Sequence, residues 1–321
     1  MTTTTQRAGA TAPAAGRRRK AAAPAPTGAD RIPKPSQGWY RDPVTGEKYR
    51  RVTTILEKGC AKGDALTFWA ANLTAELALD RLPYLVSSSL REETRAEAYD
   101  WLRRAHVRKK DERADAGSAV HKLVEAHVLG APVPEELLED DDLAPFLTNF
   151  LQFVDEWDVQ FEASEMVVGN PEDGWAGTLD YLLRSPKIAA ALSARYGVEI
   201  APDAVLAGDT KTGGELGIKG VYPEASLQMG AYRRATIAWL RDGATVPMPR
   251  VAPYGVALHL RPEGYRLIPV AIGDEVYAAF RVMQQAADWA SGLSKHVIGD
   301  ALTLPAPPVR DTVPTHEEVA V

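Results

Sequence analysis

Near the middle of the chain an apolar run, Val205-Leu206-Ala207-Gly208, passes directly into Asp209, Thr210 and Lys211. Strand side chains alternate, so Asp209 and Lys211 point to one face, and burying either charge alone is costly. Asp180 repeats the anomaly at the apolar centre of Gly177-Thr178-Leu179-Asp180. Further polar positions accompany them: Glu165 within FEASEMVV, His121 closing GSAVH, and Gln228 with Tyr232, four residues apart and so on one helix face. Carboxylates and an imidazole supply oxygen and nitrogen ligands for a divalent cation. A lysine beside them adds a positive charge for an anionic substrate. Each position also has a structural alternative. Asp209 and Lys211 can form a plain ion pair, His121 can be a packed or surface imidazole, and Glu165 a strand-edge acid. Gln228 and Tyr232 can be the polar border of an amphipathic helix.

Such positions need elements to hold them. The pattern predicts a short hairpin over 38–48 around Thr45-Gly46. Helices are predicted over 63–82, 90–115 and 117–129, the last starting after Gly117-Ser118, and another over 135–156. Strands follow at 159–168 and 175–184, joined by the turn Pro171-Glu172-Asp173-Gly174. A helical insertion at about 186–196 leads to a strand at 203–210 and a helix at 224–242. Strands at 254–260 and 265–271 and a helix at 274–293 complete the pattern. A helical front half followed by mixed strands and helices predicts an α/β (α+β) fold, a mixed central β-sheet flanked by helices.

The 321 residues are 45% hydrophobic and 25% charged, the balance of a soluble globular chain with one large domain or two small ones. No apolar run reaches the roughly 18 residues that span a bilayer. The N-terminus lacks the apolar centre of a signal peptide, so the expectation is a cytoplasmic protein with no membrane partner. The single cysteine, Cys60, excludes an internal disulfide framework and any all-cysteine iron–sulfur site. Residues 1–37 carry a net +6, which leaves −12 on the rest of a chain whose total is −6. An acidic body argues against non-specific coating of nucleic acid, yet suits a protein whose acids hold cations. Residues 1–36, rich in Thr, Ala and Pro around Arg17-Arg18-Arg19-Lys20, read as a disordered basic tail, and 302–321 as a second tail. Residues 37–301 then form a single domain, with a helical front at 60–157 and a core at about 117–295.

The ordered motifs GSAVH (117–121), SEMVVG (164–169), GTLD (177–180), GDTKTG (208–213) and QMGAY (228–232) resemble those of the PD-(D/E)XK nuclease superfamily, and within it the RecB-like exonuclease family. The likeness spans about residues 117–235, and YRRVTTILEKG (49–59) is similar to the front of phage-encoded members. It implies a restriction-endonuclease-like core and a metal-dependent deoxyribonuclease using one or two Mg²⁺ or Mn²⁺ ions. Asp180, Asp209, the Thr210 carbonyl and His121 would be metal ligands. Glu165 would bind a second ion or order its water. Lys211 would orient the nucleophile or neutralise transition-state charge, and Gln228 and Tyr232 would contact and align substrate. Two features depart from the family: the chain lacks the four cysteines of cluster-bearing members, so no iron–sulfur cluster is expected, and an insertion, SPKIAAALSARYGVEIAPD, lengthens the link between Asp180 and Asp209.

The segment WLRRAHVRKKDER (101–113) carries Arg103, Arg104, Arg108 and Lys109, together with Lys110 and Arg113, as candidate DNA-phosphate contacts or as a solvated helix face. Trp69 and Trp101 are candidates for base stacking, with helix core the default for both. The expected activity is a phage-type DNA exonuclease serving recombination or DNA processing. The alternatives are a structure-specific or nicking endonuclease, or a catalytically silent DNA-binding accessory protein. No GxxxxGK[ST] phosphate loop is present, so any unwinding would come from a helicase or recombinase partner.

Overall fold

The computed structural model describes residues 28–60, 63–138, 140–216 and 220–304. A 3₁₀ turn (Gly28–Arg31) precedes β1 (Lys34–Ser36), β2 (Trp39–Arg41) and β3 (Lys48–Arg51), which pair antiparallel in order. Gln37 and Gly38, both at positive φ, make the tight turn between β1 and β2. The Asp42 carboxylate holds the next turn by accepting from the amides of Val44 and Thr45. The helical front follows: α1 (Val52–Gly59), α2 (Gly63–Asp80), α3 (Leu82–Ser88), α4 (Glu92–Arg103) and α5 (Ala105–Val128), then α6 (Glu135–Leu138) and α7 (Ala144–Glu156). Next come β4 (Gln160–Asn170), β5 (Trp175–Arg184), α8 (Pro186–Tyr196), β6 (Leu206–Lys211) and α9 (Glu224–Arg233). The chain ends through β7 (Ile237–Trp239), β8 (Thr245–Pro247), β9 (Tyr254–Arg261), β10 (Gly264–Ala271) and α10 (Asp274–Ser291).

All ten strands among the described residues join one mixed sheet, the α+β architecture that the pattern implied. Alternation along β6 and β9 sorts the core onto two faces. Val205, Ala207 and Ala257 join α1, α9 and α10 through Ile55, Met229 and Phe280. Leu206, Val256 and Leu258 join α5, α7 and α8 through Leu123, Phe153 and Ile188. The Ser185 side chain caps α8 by accepting from the Ile188 amide.

Several boundaries differ from the sequence expectation. No helix begins after Gly117-Ser118: α5 runs unbroken through them, and Ser118 Oγ donates back to the Ala114 carbonyl, as a mid-helix serine does. The break falls instead at Arg104. The helix expected over 224–242 ends at Arg233, because the Thr236 amide bonds to Gly169 O and draws 237–239 onto the edge of β4 as a strand. The helix expected over 135–156 divides into α6 and α7, and α1 and α3 were not anticipated as separate helices. The tail drawn to residue 36 is too long, since Lys34–Ser36 pairs with β2. The basic run 17–20 and residues 305–321 of the second tail lie outside the described residues. Among the described residues no helix is long and apolar enough to cross a membrane.

Candidate metal centre

The site forms where the sheet forks. One edge of β5 pairs with β4 along its length. The other edge pairs with β3 at Trp175 and Ala176 and with β6 only at Tyr181, Leu182 and Leu183. Among the described residues no strand therefore lies on that edge of 177–180, while β6 continues from Gly208 to Lys211 beside β9 alone. The Thr210 amide, left without a ladder partner by the parting, donates to Asp180 Oδ2 at 2.7 Å. A strand residue turns its N–H and C=O to the same edge, so the Thr210 carbonyl faces the fork as well.

Across β5, the ladder pairs Ser164 with Tyr181 and Met166 with Leu179 but skips Glu165 and Asp180 between them. Glu165 has φ 46°, a left-handed conformation in mid-strand, where a non-glycine residue is strained by roughly 1–3 kcal/mol. Among the described residues the other non-glycine positive φ values, at Gln37 and Asp158, lie between elements. The turn brings the Glu165 carboxylate to His121 on α5, with His121 Nδ1 at 3.1 Å from Glu165 Oε1 and 3.8 Å from Asp180 Oδ2. Ligand atoms of His121, Glu165 and Asp180 lie within 4.8 Å of one another, a grouping able to hold a metal ion. Burial disfavours the imidazolium, but the hydrogen bond to Glu165 and the charges of Asp180 and Glu165 outweigh it and push His121 up to about 9. A proton on His121 thus supplies the positive charge that the two acids require.

Asp209 stands apart from this trio. It is 2% exposed, and Lys211 Nζ lies 2.6 Å from its Oδ2, yet that oxygen is buried without an aligned hydrogen-bond donor. Burial, opposed by Lys211 and reinforced by the charge of Asp180, raises Asp209 to about 6. Asp180 is also raised, by burial, against the pull of His121 and Lys211. For Lys211 burial works downward, but Asp209 and Asp180 together hold the ammonium above its ordinary value. The imidazole and two carboxylates of His121, Glu165 and Asp180, with the lysine-paired Asp209 carboxylate as a further oxygen nearby, are a donor set that fits Mg²⁺ or Mn²⁺.

Tyr232, buried on α9, packs beside β5, with Gln228 Nε2 donating to Tyr232 Oη at 3.4 Å. Burial, then the neighbouring Tyr40 and Asp180, lifts Tyr232 well above the usual phenol range. Gly177 makes room for the ring: a Cβ there would sit 2.5 Å from Tyr232 Cε1. The loop after Lys211 is tied to β9, where Arg261 Nη1 donates to Thr212 O and His259 Nε2 donates to Gly213 O. On the other side, Arg241 bonds Glu125, one turn beyond His121, and braces α5.

The sequence reading missed Tyr40. Its buried ring comes from the first hairpin, and its hydroxyl shares a 2.8 Å hydrogen bond with Thr178 Oγ1, two residues before Asp180. The tether restrains β5 beside the skipped pair.

The four basic candidates of the front are not in the site. Arg103 and Arg104 both pair with Asp100, Lys109 pairs with Glu112, and Arg108 donates to Trp101 O while covering the Trp101 ring at 5.1 Å. No protein-family model matches the sequence, and no curated protein does.

Proposed function

We propose that this chain is a divalent-metal-dependent deoxyribonuclease with a restriction-endonuclease-like core. Exonucleolytic action is the form implied by its resemblance to RecB-like nucleases. The observation that carries this is the convergence of His121, Glu165 and Asp180 with the Asp209–Lys211 pair, from four separated segments, at one fork in the sheet. His121, Asp180 and Glu165 would hold the ion, with Asp209 and the Thr210 carbonyl as further oxygen donors. Bound there, Mg²⁺ or Mn²⁺ would lower the pKa of attacking water and neutralise charge on the phosphoryl oxygens.

The protein's own groups supply the rest. Lys211, its ammonium stabilised by Asp209 and Asp180, acts as a fixed positive charge for the transition state rather than as a proton acceptor at neutral pH. Asp209 holds that ammonium beside the opening. Asp180 fixes the Thr210 amide and hence the register of the parted strand. Glu165 orients the His121 ring through Nδ1. Tyr232 and Gln228 would align the substrate strand, as the resemblance implies.

The test is incubation of end-labelled linear DNA and covalently closed circles with Mg²⁺ or Mn²⁺. Release of labelled nucleotides from linear DNA alone is the expected result. Cleavage of circles would assign endonuclease action instead, and retention of DNA without cleavage would assign a binding protein. EDTA should stop cleavage reversibly with the circular dichroism spectrum unchanged, because a body of this size buries a sufficient core without a metal. Cleavage that persists in excess EDTA would overturn the mechanism.

A further inference from the structure

The middle of α5 faces solvent. Residues 111–116 are all exposed, yet the same helix carries His121 into the site. Arg113, Gly117 and His121 follow at intervals of four and share one helix face. Gly117 shows where that face looks, since a Cβ there would meet Thr212 Oγ1 at 3.2 Å, next to Lys211. Arg113 is one turn further out, about 6 Å from Gly117 and about 12 Å from His121 along the helix axis.

Arg113 differs from its carboxylate-paired neighbours, and unlike Arg108, which also spends an N–H on Trp101 O, its side chain makes no hydrogen bond among the described residues. Arg103, Arg104 and Lys109 are paired with carboxylates. Among the described residues Arg113 has no carboxylate partner, and its guanidinium lies over the Trp69 ring, 5.8 Å from the centroid. A cation–π contact orients the guanidinium without cancelling its charge or occupying its N–H groups. The small neighbours Ala114 and Ser118 leave the helix surface open beside it.

We propose that Arg113, held over the Trp69 ring of α2, is a subsite for an unpaired nucleic-acid strand running out of the metal centre along α5. This rests on the nuclease reading. The guanidinium takes a backbone phosphate, and its plane stacks against an unpaired base, extending the layer begun by the indole. At about 3.4 Å per base step, the subsite lies roughly two to four nucleotides from the reacting phosphate. Two to four nucleotides in from a duplex end a base is stacked on both faces and cannot join that layer, so the subsite favours single strands over blunt duplex.

The test is fluorescence anisotropy of a labelled 12-nucleotide single strand in Ca²⁺. Arg113→Ala should weaken binding about tenfold and lower the slope of log affinity against log salt by about 0.7. Trp69→Ala should reproduce part of the loss, and Trp69→Phe should restore most of it. Arg195→Ala, removing an equal charge from α8, controls for net charge. Affinity of Arg113→Ala equal to that of the parent, or an equal loss on a blunt duplex of the same sequence, overturns the subsite. Failure of the nuclease reading shows separately: the parent protein would bind the strand but hydrolyse neither it nor thymidine 5′-(p-nitrophenyl phosphate) in Mn²⁺.

Discussion

At the fork of the sheet, Asp209 is 2% exposed and leans on a lysine two residues along its own strand. On the helical front, Leu90 is 81% exposed, Tyr99 68% and Phe68 65%, while the charges pair with one another on the surface. The first region buries charge and strains its backbone. The second leaves apolar side chains in water, its helices α2 to α4 packed on one another and on α5. Buried charges that destabilise a sheet need a function to retain them, whereas exposed apolar helices contribute little to the core. Substitutions at the fork should therefore act on chemistry and stability together, and those at exposed apolar positions of the front, such as Phe68, Leu90 and Tyr99, on neither.

The largest effect expected is from Lys211→Ala, which should lower turnover by about a hundredfold or more, as for a group stabilising transition-state charge. Wild-type turnover in steady-state assays would remove Lys211 from the mechanism. Next comes Gly208→Ala. A Cβ there would lie 1.9 Å from Tyr181 Cε2, and overpacking of this kind costs about 1–3 kcal/mol. Urea denaturation showing no loss would mean that the strands part more loosely than the structure indicates.

The third prediction concerns pH. His121 is raised in the fold to about 9, above its unfolded value of roughly 6.5, so between those limits the folded protein binds more protons. The resulting stabilisation is fully present below pH 6.5 and lost as pH rises through 9. The melting temperature of metal-free protein should fall over that window, and saturating Mn²⁺ should flatten the fall by replacing the proton. An unchanged slope with Mn²⁺ would dissociate His121 from the ion.

A smaller and sharper test is the pair Glu165→Ala and Glu165→Gly. Both delete the carboxylate, but only glycine tolerates φ 46° without strain, so the glycine variant should be the more stable by about 1 kcal/mol. In an ordinary strand the order reverses, and finding alanine more stable would show that Glu165 is not strained. On the front, Leu90→Ser should shift stability by less than about 0.5 kcal/mol. A larger loss by thermal denaturation would mean that Leu90 is covered in solution.

Asp180, Asp209 and Lys211 were legible in the sequence because each interrupts an apolar strand, and an unexplained charge there is informative. Tyr40 was not, since an aromatic in a hairpin reads as core and only the fold brings its hydroxyl to Thr178. Gly117 reads locally as a helix start, whereas its missing side chain serves an approach to Thr212, just past the end of β6. The end of α9 was illegible for a similar reason. Residues 234–242 suit a helix locally, and the hydrogen bond from Thr236 to Gly169 that redirects them is tertiary. The separation of Asp209 from the His121–Glu165–Asp180 group also has no local signature, because it depends on where two strands stop pairing.

That stopping point has a consequence of its own. An antiparallel ladder alternates bonded and unbonded pairs, so it can end only at discrete places, much as a zip halts between teeth. Here it halts at Tyr181 and Gly208, with the Tyr181 ring lying where a side chain on Gly208 would be. Dislodging that pair would carry the halt to the next equivalent one, Leu183 and Leu206, about 7 Å back along the strands. The 2.7 Å bond from Thr210 to Asp180 cannot stretch over such a step. The end of the ladder thus moves in steps, and the first step back already loses the bond that ties Thr210 to Asp180.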